Sequence, residues 1–203
     1  MTGGRRLPVA RRPPAALVAG AVALAAAAAA QAEPVRYRFD PTHTFVTFEV
    51  LHFGTSTLRG RFGPLQGDAT LDRAQRSGRV QVTIDTASVN TGVPVLDARL
   101  KEPDMLAVQA HPQAWLVADR IEFDDAGRVT GLRGELTLRG TSHALELKAL
   151  RFNCYTSPLL RVEVCGGDFE GRFVRSAAGI THSLPFVSDT VRLLVQVEAV
   201  RQP

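Results

Sequence analysis

Five histidines, His43, His52, His111, His143 and His182, are the first side chains of this 203-residue sequence with the chemistry to bind a metal or move a proton. No two of them stand at H-E-x-x-H or similar ligand spacing. His43 and His52 bracket one alternating stretch, so a secreted metal-binding or hydrolytic site built on them needs further groups from elsewhere in the chain. His52 continues the face of Val46, Phe48 and Val50, which places it at one end of an interior. Serine chemistry has no local context: G-x-S-x-G, the P-loop and the dinucleotide fingerprint are all missing. Asp124 and Asp125 lie in a turn signal, while Asp40 and Asp97 stand near element ends, where caps and turns are the ordinary role. No reaction centre is visible, so the expectation is a protein that is not an enzyme and uses no cofactor or metal.

The two cysteines, Cys154 and Cys165, straddle Ser157-Pro158 and are nearly symmetric about Leu159-Leu160. A hairpin there sets them opposite each other. In an oxidising compartment a disulfide is the first reading, since C-x-x-C redox spacing is lacking.

The compartment is suggested by the N-terminus. Residues 1–32 read as a secretory signal peptide: Arg5, Arg6, Arg11 and Arg12 lead, and Ala15 to Ala30 is almost pure Ala, Val and Leu. Ala30-Gln31-Ala32 then forms an A-x-A cleavage site. The rival reading, a membrane anchor, suits this short and alanine-rich run less well. The Arg pairs match the twin-arginine pattern poorly, which favours general secretion. The expected location is periplasmic or secreted, with no stable membrane span after cleavage. The formal charge of +4 comes from 24 Lys and Arg against 20 Asp and Glu. The four leader arginines account for all of the excess, and Glu33 is the first acidic residue. The chain from residue 33 to 203 is charge-balanced, so the basic total gives no reason to expect a nucleic-acid partner.

The elements that must position these side chains are strands. Val46, Phe48 and Val50, then Val80, Val82 and Ile84, then Val191, Leu193, Val195 and Val197 recur at the period of two. Eight strands are predicted, at about 44–53, 57–71, 79–85, 114–123, 128–138, 143–153, 161–174 and 189–200. Turn signals at Asp72 to Gly78, Asp124 to Gly127, Arg139 to Ser142 and Ser157-Pro158 join them as a meander. One connection, from Asp85 to Ala114, is too long for a turn. It contains a short helix starting near Pro94, with Leu96, Leu100 and then Met105 and Leu106 facing inward, limited by Pro103 and Pro112. The expected fold is all-β, an eight-stranded antiparallel barrel with a helical excursion between strands 3 and 4; a two-sheet sandwich is the alternative. Phe48, Phe62, Trp115, Phe123, Phe169 and Phe173 sit among the presumed inner faces. They fit either a filled core or an apolar pocket.

Several segments in order resemble one family. Asp40-Pro41-Thr42-His43-Thr44, followed by Phe48 to His52, is similar to the opening D-P-x-H-S…F-x-V-x-H of the YceI-like family. Gly60-Arg61-Phe62 with Gly67, Ser88 to Gly92 with Asp97 to Leu100, and Gly134 to Thr141 resemble its internal elements. Pro112 and Trp115 stand at its P…F, and Arg175 to Ile180 with Ser188 to Val191 at its closing R-S-x-x-G-x…D-x-V. Each piece is short, but the ordered series spans nearly all of 36–200. Trp115 for Phe, and Ala178 where an aromatic is common, are departures that bear on pocket shape. The cysteine pair is shared with only part of the family.

The resemblance implies a lipocalin-like barrel that binds a polyisoprenoid or other long amphiphilic lipid in its lumen, as a periplasmic binding protein. The residues expected along that lumen are Phe48, Val50, His52, Phe62, Val82, Ile84, Leu100, Trp115, Phe123, Leu136, Phe173 and Arg175. His52 and Arg175 are placed near a head group, Arg175 more naturally as an ion-pair or hydrogen-bond partner within the fold. The connection 86–113 is expected as a lid or one wall of the mouth. A packed, stress-related interaction module and a homodimer of barrels are the remaining readings.

Overall fold

The structure, a computed structural model, describes residues 1–2 and 33–203; the expected leader falls almost wholly outside the described residues. Among the described residues ten strands form one sheet: β1 (Val35–Phe39), β2 (Phe45–His52), β3 (Ser56–Phe62), β4 (Gln66–Asp72) and β5 (Ser77–Asp85) come first. A short helix, α1 (Pro94–Leu100), follows; then come β6 (Gln113–Phe123), β7 (Val129–Leu138), β8 (Thr141–Thr156), β9 (Glu163–Val174) and β10 (Val187–Arg201). Among the described residues no helix is long and apolar enough to cross a membrane.

Closure runs through β10. One edge of β10 pairs with β9. The other edge pairs first with β2, Val191 opposite Val50, and then with β1, Tyr37 opposite Arg201. Since β2 also pairs with β3, and β1 with β4, these four are two long strands, each broken once. Counted so, the barrel has the eight antiparallel strands that the alternation predicts, and it is not a sandwich. Two details differ from expectation. β1 is not among the predicted strands, and the predicted strand 57–71 is interrupted at Gly63–Leu65.

Both breaks have local causes. Asp40 accepts hydrogen bonds from the Thr42 amide at 2.8 Å and the Thr42 hydroxyl at 2.6 Å, and meets His43 Nδ1 at 2.7 Å. That turn consumes the backbone between β1 and β2. Gly63, at φ 134°, takes a conformation closed to other residues, and Pro64 has no amide to give to a ladder. The breaks lie side by side, joined by the Leu65 amide on the Thr44 carbonyl at 3.1 Å.

Beyond the breaks β3 no longer meets β5. The gap is filled by the long connection: Arg61 and Asn90 exchange backbone hydrogen bonds of 2.8 and 3.0 Å. The connection is tied at its base by Thr86, only 1% exposed. The Thr86 amide donates to the Pro112 carbonyl at 3.0 Å and its hydroxyl to the His111 carbonyl at 2.7 Å. α1 starts at Pro94, as expected, with Asp97 in its first turn. Asp97 accepts from both the amide and the hydroxyl of Thr91 at 2.6 Å, the turn role expected of it.

The inner faces carry the core. Tyr37, Phe39, Leu65, Leu71 and Leu132 are buried at the base, and Phe48, Val50, Val89, Leu106 and Ile180 near the other end. β6 and β7 approach closely at Gly134, where a Cβ would lie 2.2 Å from the Val117 carbonyl oxygen. On the outer face Arg192 binds Glu49 at 2.9 Å and Glu170 at 2.8 Å, and Arg59 binds Glu49 at 2.7 Å. This ion row crosses β3, β2, β10 and β9, the side of the barrel with the broken strand.

Cys154 and Cys165 face each other in the β8–β9 ladder and form the expected disulfide. Glu163, hydrogen-bonded to the Tyr37 hydroxyl, and Arg73 gather around it. Burial and the Glu163 carboxylate push the Tyr37 hydroxyl up to about 12.

Two outcomes follow from these contacts. Replacing both cysteines by serine opens a short loop and is expected to cost roughly 3 kcal/mol. Urea unfolding checks this, with reduced wild type expected to match the variant. His43 titrates above its ordinary 6.5 because the Asp40 carboxylate favours its charged form. The pair therefore stabilises the turn fully below that value and loses its effect as pH rises through the raised one. An NMR titration should place the His43 midpoint above 6.5, and Asp40→Asn should return it to the ordinary range.

Candidate functional site

The interior is not filled. A cavity of about 340 Å³ occupies the half of the barrel where the β2–β3 and β7–β8 turns meet the segments 86–112 and 175–186. This end is the mouth. Period-two alternation places Val46, Phe48 and Val50 of β2 and Val191, Leu193 and Val195 of β10 on one wall. Leu136, Leu145, Leu147 and Phe173 from β7, β8 and β9 make another. Leu96 and Leu100 of α1, with Met105 and Leu106, close the side that β3 leaves open. Gly60 makes room here, since a Cβ would sit 2.4 Å from the Phe48 ring.

A second cavity of about 90 Å³ lies toward the base, among Tyr37, Phe39, Val82, Leu132 and Phe169. Val46, Ile84, Leu116, Leu147 and Val195 line both cavities. They form a waist between two apolar chambers stacked along the barrel. The larger volume falls within the range of small-molecule sites.

Among the described residues, polar side chains touch the larger cavity only as His52, Thr86, Arg99, Arg175, His182 and Ser183. Arg175 is 5% exposed and sits at the end of β9. Its Nε donates to the Ser188 carbonyl at 2.9 Å and Nη2 to the Val187 carbonyl at 2.8 Å. Nη1 donates to the carbonyls of Ile180 at 2.9 Å and His182 at 2.8 Å. Burial lowers its pKa, while Asp189 works in the opposite direction. The guanidinium thus ties the 180–188 segment to the barrel, and serves the fold before any ligand. Arg99 holds Asp104 through two bonds, at 2.6 and 2.5 Å, and His182 Nδ1 lies 3.4 Å from the same carboxylate. The Arg99 guanidinium keeps the Asp104 carboxyl down at about 2.

Most residues expected along the lumen are on its wall. Phe48, Val50, His52, Phe62, Ile84, Leu100, Leu136, Phe173 and Arg175 line the larger cavity, and Val82 with Ile84 the smaller. Two expectations are corrected. Trp115 points outward, 41% exposed, because Ala114, Leu116 and Ala118 are the inward set of β6. Phe123 packs against the edge of the core at the end of β6 and lines neither cavity. His43 and His52 are not brought together: they lie at opposite ends of β2, His43 bonded to Asp40 and His52 at the mouth. Of the wall residues that sequence reasoning missed, Leu58, Ala114, Leu116, Leu138, Leu145, Leu147 and Val187 stand on strands, while Thr86, Val89, Arg99, Ile180, His182 and Ser183 lie outside strands, where no two-residue period marks an inner face.

Comparison with known proteins gives four findings. A family model described as the YceI-like domain matches residues 37–199. A UPF0312 protein of Pectobacterium carotovorum is 33% identical over 169 residues, covering 82% of this chain and 86% of that protein. Among solved structures, BcnA of Burkholderia cenocepacia superposes with a TM-score of 0.64 at 19% identity, covering 79% of this chain and 98% of that one. A polyisoprenoid binding domain from Saccharophagus degradans superposes at 0.53, also at 19% identity, covering 82% and 98%. At those identities the two structures support the fold.

The four carbonyls on Arg175 set an outcome for its replacement. Arg175→Met strands buried acceptors and should lower stability by about 3 kcal/mol. Arg175→Lys should recover only part, since an ammonium has three donors and no planar fork. Denaturant unfolding measures both. A Met variant of wild-type stability that has lost ligand affinity would instead make Arg175 a ligand contact.

Proposed function

This chain belongs to the YceI-like domain family, and from that premise we propose that it is a binding protein holding a polyisoprenoid or similar long-chain amphiphile inside its barrel. The observation that carries the proposal is the 340 Å³ cavity with its apolar wall, continued toward the base by a second apolar chamber. Each Å² of isoprenoid tail taken from water is worth about 25 cal/mol, so such walls bind a tail without any directed contact. The few polar groups gather at the mouth, where a head group would stay close to water. The Saccharophagus degradans domain of the same fold is described as polyisoprenoid binding, which supports the ligand class.

The proposal is of binding without catalysis. Arg175 is committed to carbonyls, and the Asp104 carboxylate to Arg99. The reading of a filled, packed module fares worse, because the interior holds open volume. We place the protein in the periplasm on the strength of its leader-like residues 1–32 and its paired cysteines.

Native mass spectrometry of the purified protein, followed by organic extraction, tests the ligand. The expected result is a copurifying isoprenoid or uptake of an isoprenoid quinone or prenyl phosphate; empty protein that takes up neither contradicts it. Ala114, 3% exposed and on the cavity wall, offers a second test. Ala114→Phe fills the chamber beside the waist and should weaken uptake about tenfold or more, while costing the fold roughly 1–3 kcal/mol.

A further inference from the structure

We propose that the mouth docks on the surface of an electrically neutral lipid bilayer, anchored by Phe53 and Phe186. This deepens the ligand proposal above and rests on it: the tail then passes between bilayer and cavity without crossing water.

Part of the lip is uncharged: segments 51–58, 86–96 and 176–188 contain no Asp, Glu, Lys or Arg, in a chain where 22% of residues are charged. They are the β2–β3 turn, the start of the long connection and the loop before β10, all of them around the mouth. Pressing them against lipid desolvates no ion. The charges of the mouth stand apart from these segments, Arg139 in the β7–β8 turn and Asp97, Arg99, Lys101, Glu102 and Asp104 along and just after α1. The turns at the base are different in kind. Asp72, Arg73 and Arg76 stand in one, and Asp124, Asp125 and Arg128 in another.

On this lip two large apolar side chains face outward. Phe53 is 59% exposed and Phe186 60%. Their rings stack at 5.2 Å and 15°, and the Phe53 amide donates to the Phe186 carbonyl at 2.7 Å. Phe53 has a φ of 50°, a left-handed conformation that bulky residues seldom adopt. The fold thus holds an aromatic pair in water through a backbone conformation that such residues seldom take. Leu51 is exposed beside it, and Val93 and Val95 are exposed where the connection enters α1. The patch runs into the cavity: His52 and Val187, the chain neighbours of Phe53 and Phe186, and Leu96, next to Val95, line its wall.

These features select a lipid surface. Aromatic side chains on loop tips suit the interfacial layer of a bilayer. The cavity's proposed cargo resides in such a layer, and desorbing it into water would forfeit the burial that holds it there. The absence of cations from these lip segments argues for neutral rather than anionic lipid. Of the cations elsewhere at the mouth, Arg99 is paired with Asp104, Arg139 donates to the Met105 carbonyl at 2.5 Å, and Arg175 is taken up by four carbonyls.

Flotation of the protein with phosphatidylcholine vesicles tests this. The wild type should float, with little change between low and high salt. Phe53→Ser/Phe186→Ser should lower the vesicle-bound fraction about tenfold or more, because two apolar anchors are removed. Leu159→Ser/Leu160→Ser, at the exposed β8–β9 turn on the base, should float as the wild type does. Uptake of a fluorescent farnesol analogue added without vesicles should survive in both variants. A wild type that stays with the soluble fraction, a Phe variant that floats equally well, or binding that needs anionic lipid and vanishes in salt overturns the proposal. Flotation that depends on the Phe pair, in a protein that takes up no isoprenoid, upholds docking and defeats the ligand proposal instead.

Discussion

Closure through β10 is the constraint on which the other features depend. That strand pairs along one edge with β9 and along the other with β2 and then β1, so it runs past both chambers. A ring of eight strands fixes an interior width, and the side chains pointing inward then decide whether that interior is full. On β6 the residues that face the mouth half are Ala114 and Leu116, too small to fill it. Near the base Tyr37, Phe39 and Phe169 bring aromatic bulk inward, and the free volume shrinks. The mouth half carries aromatics too, Phe48, Phe62 and Phe173, so residue size alone does not set the space along the barrel frame.

The breaks in the first two long strands turn that frame into a site. If β3 ran straight on beside β5, the wall would be all sheet. Because the chain bends at Asp40–Thr44 and again at Gly63–Leu65, a window opens that the connection 86–112 must cover. Thr86 fastens that connection at its base, and Arg175 fastens the facing 180–188 segment. Both use hydrogen bonds to backbone carbonyls rather than ion pairs. Irregular chain with its polar groups satisfied in this way borders an apolar cavity without the desolvation penalty that unpaired carbonyls would carry.

Much of this was legible in the sequence, for physical reasons. Alternation located seven of the eight long strands closely, and the inner residues of β2, β5 and β10 came with it. The cysteine spacing about Leu159-Leu160 located a hairpin and its disulfide together. Trp115 shows where the method fails. Its size suggested an inward place, but the alternating Ala114, Leu116 and Ala118 hold the inner face and leave Trp115 outside. β1, Val35-Arg36-Tyr37-Arg38-Phe39, alternates at the strand period with Tyr37 and Phe39 buried, but it has only five residues and its partners, β4 and β10, lie far away in the chain. In the connection 86–112 Leu96 and Leu100 follow the helical spacing of α1, but the other residues that border the mouth there and in 179–183 obey no period. They are placed by Thr86 and Arg175, whose partners become visible only in three dimensions.

The β8–β9 hairpin stapled by its disulfide and the buried Leu71, Ile121, Val129 and Leu132 narrow the barrel at its base, and the proposed ligand path uses the mouth. A vessel used through a single door imposes an order of events on its contents. A tail must go in first and come out last, and a second molecule cannot push the first out from behind. Exchange of the proposed ligand would then follow a dissociative course: the occupant leaves before its successor enters, and adding more competitor does not hasten its departure. The residence time of the cargo is then set by how readily the waist and the mouth release a chain they enclose and, at a docked mouth, by the bilayer that receives it.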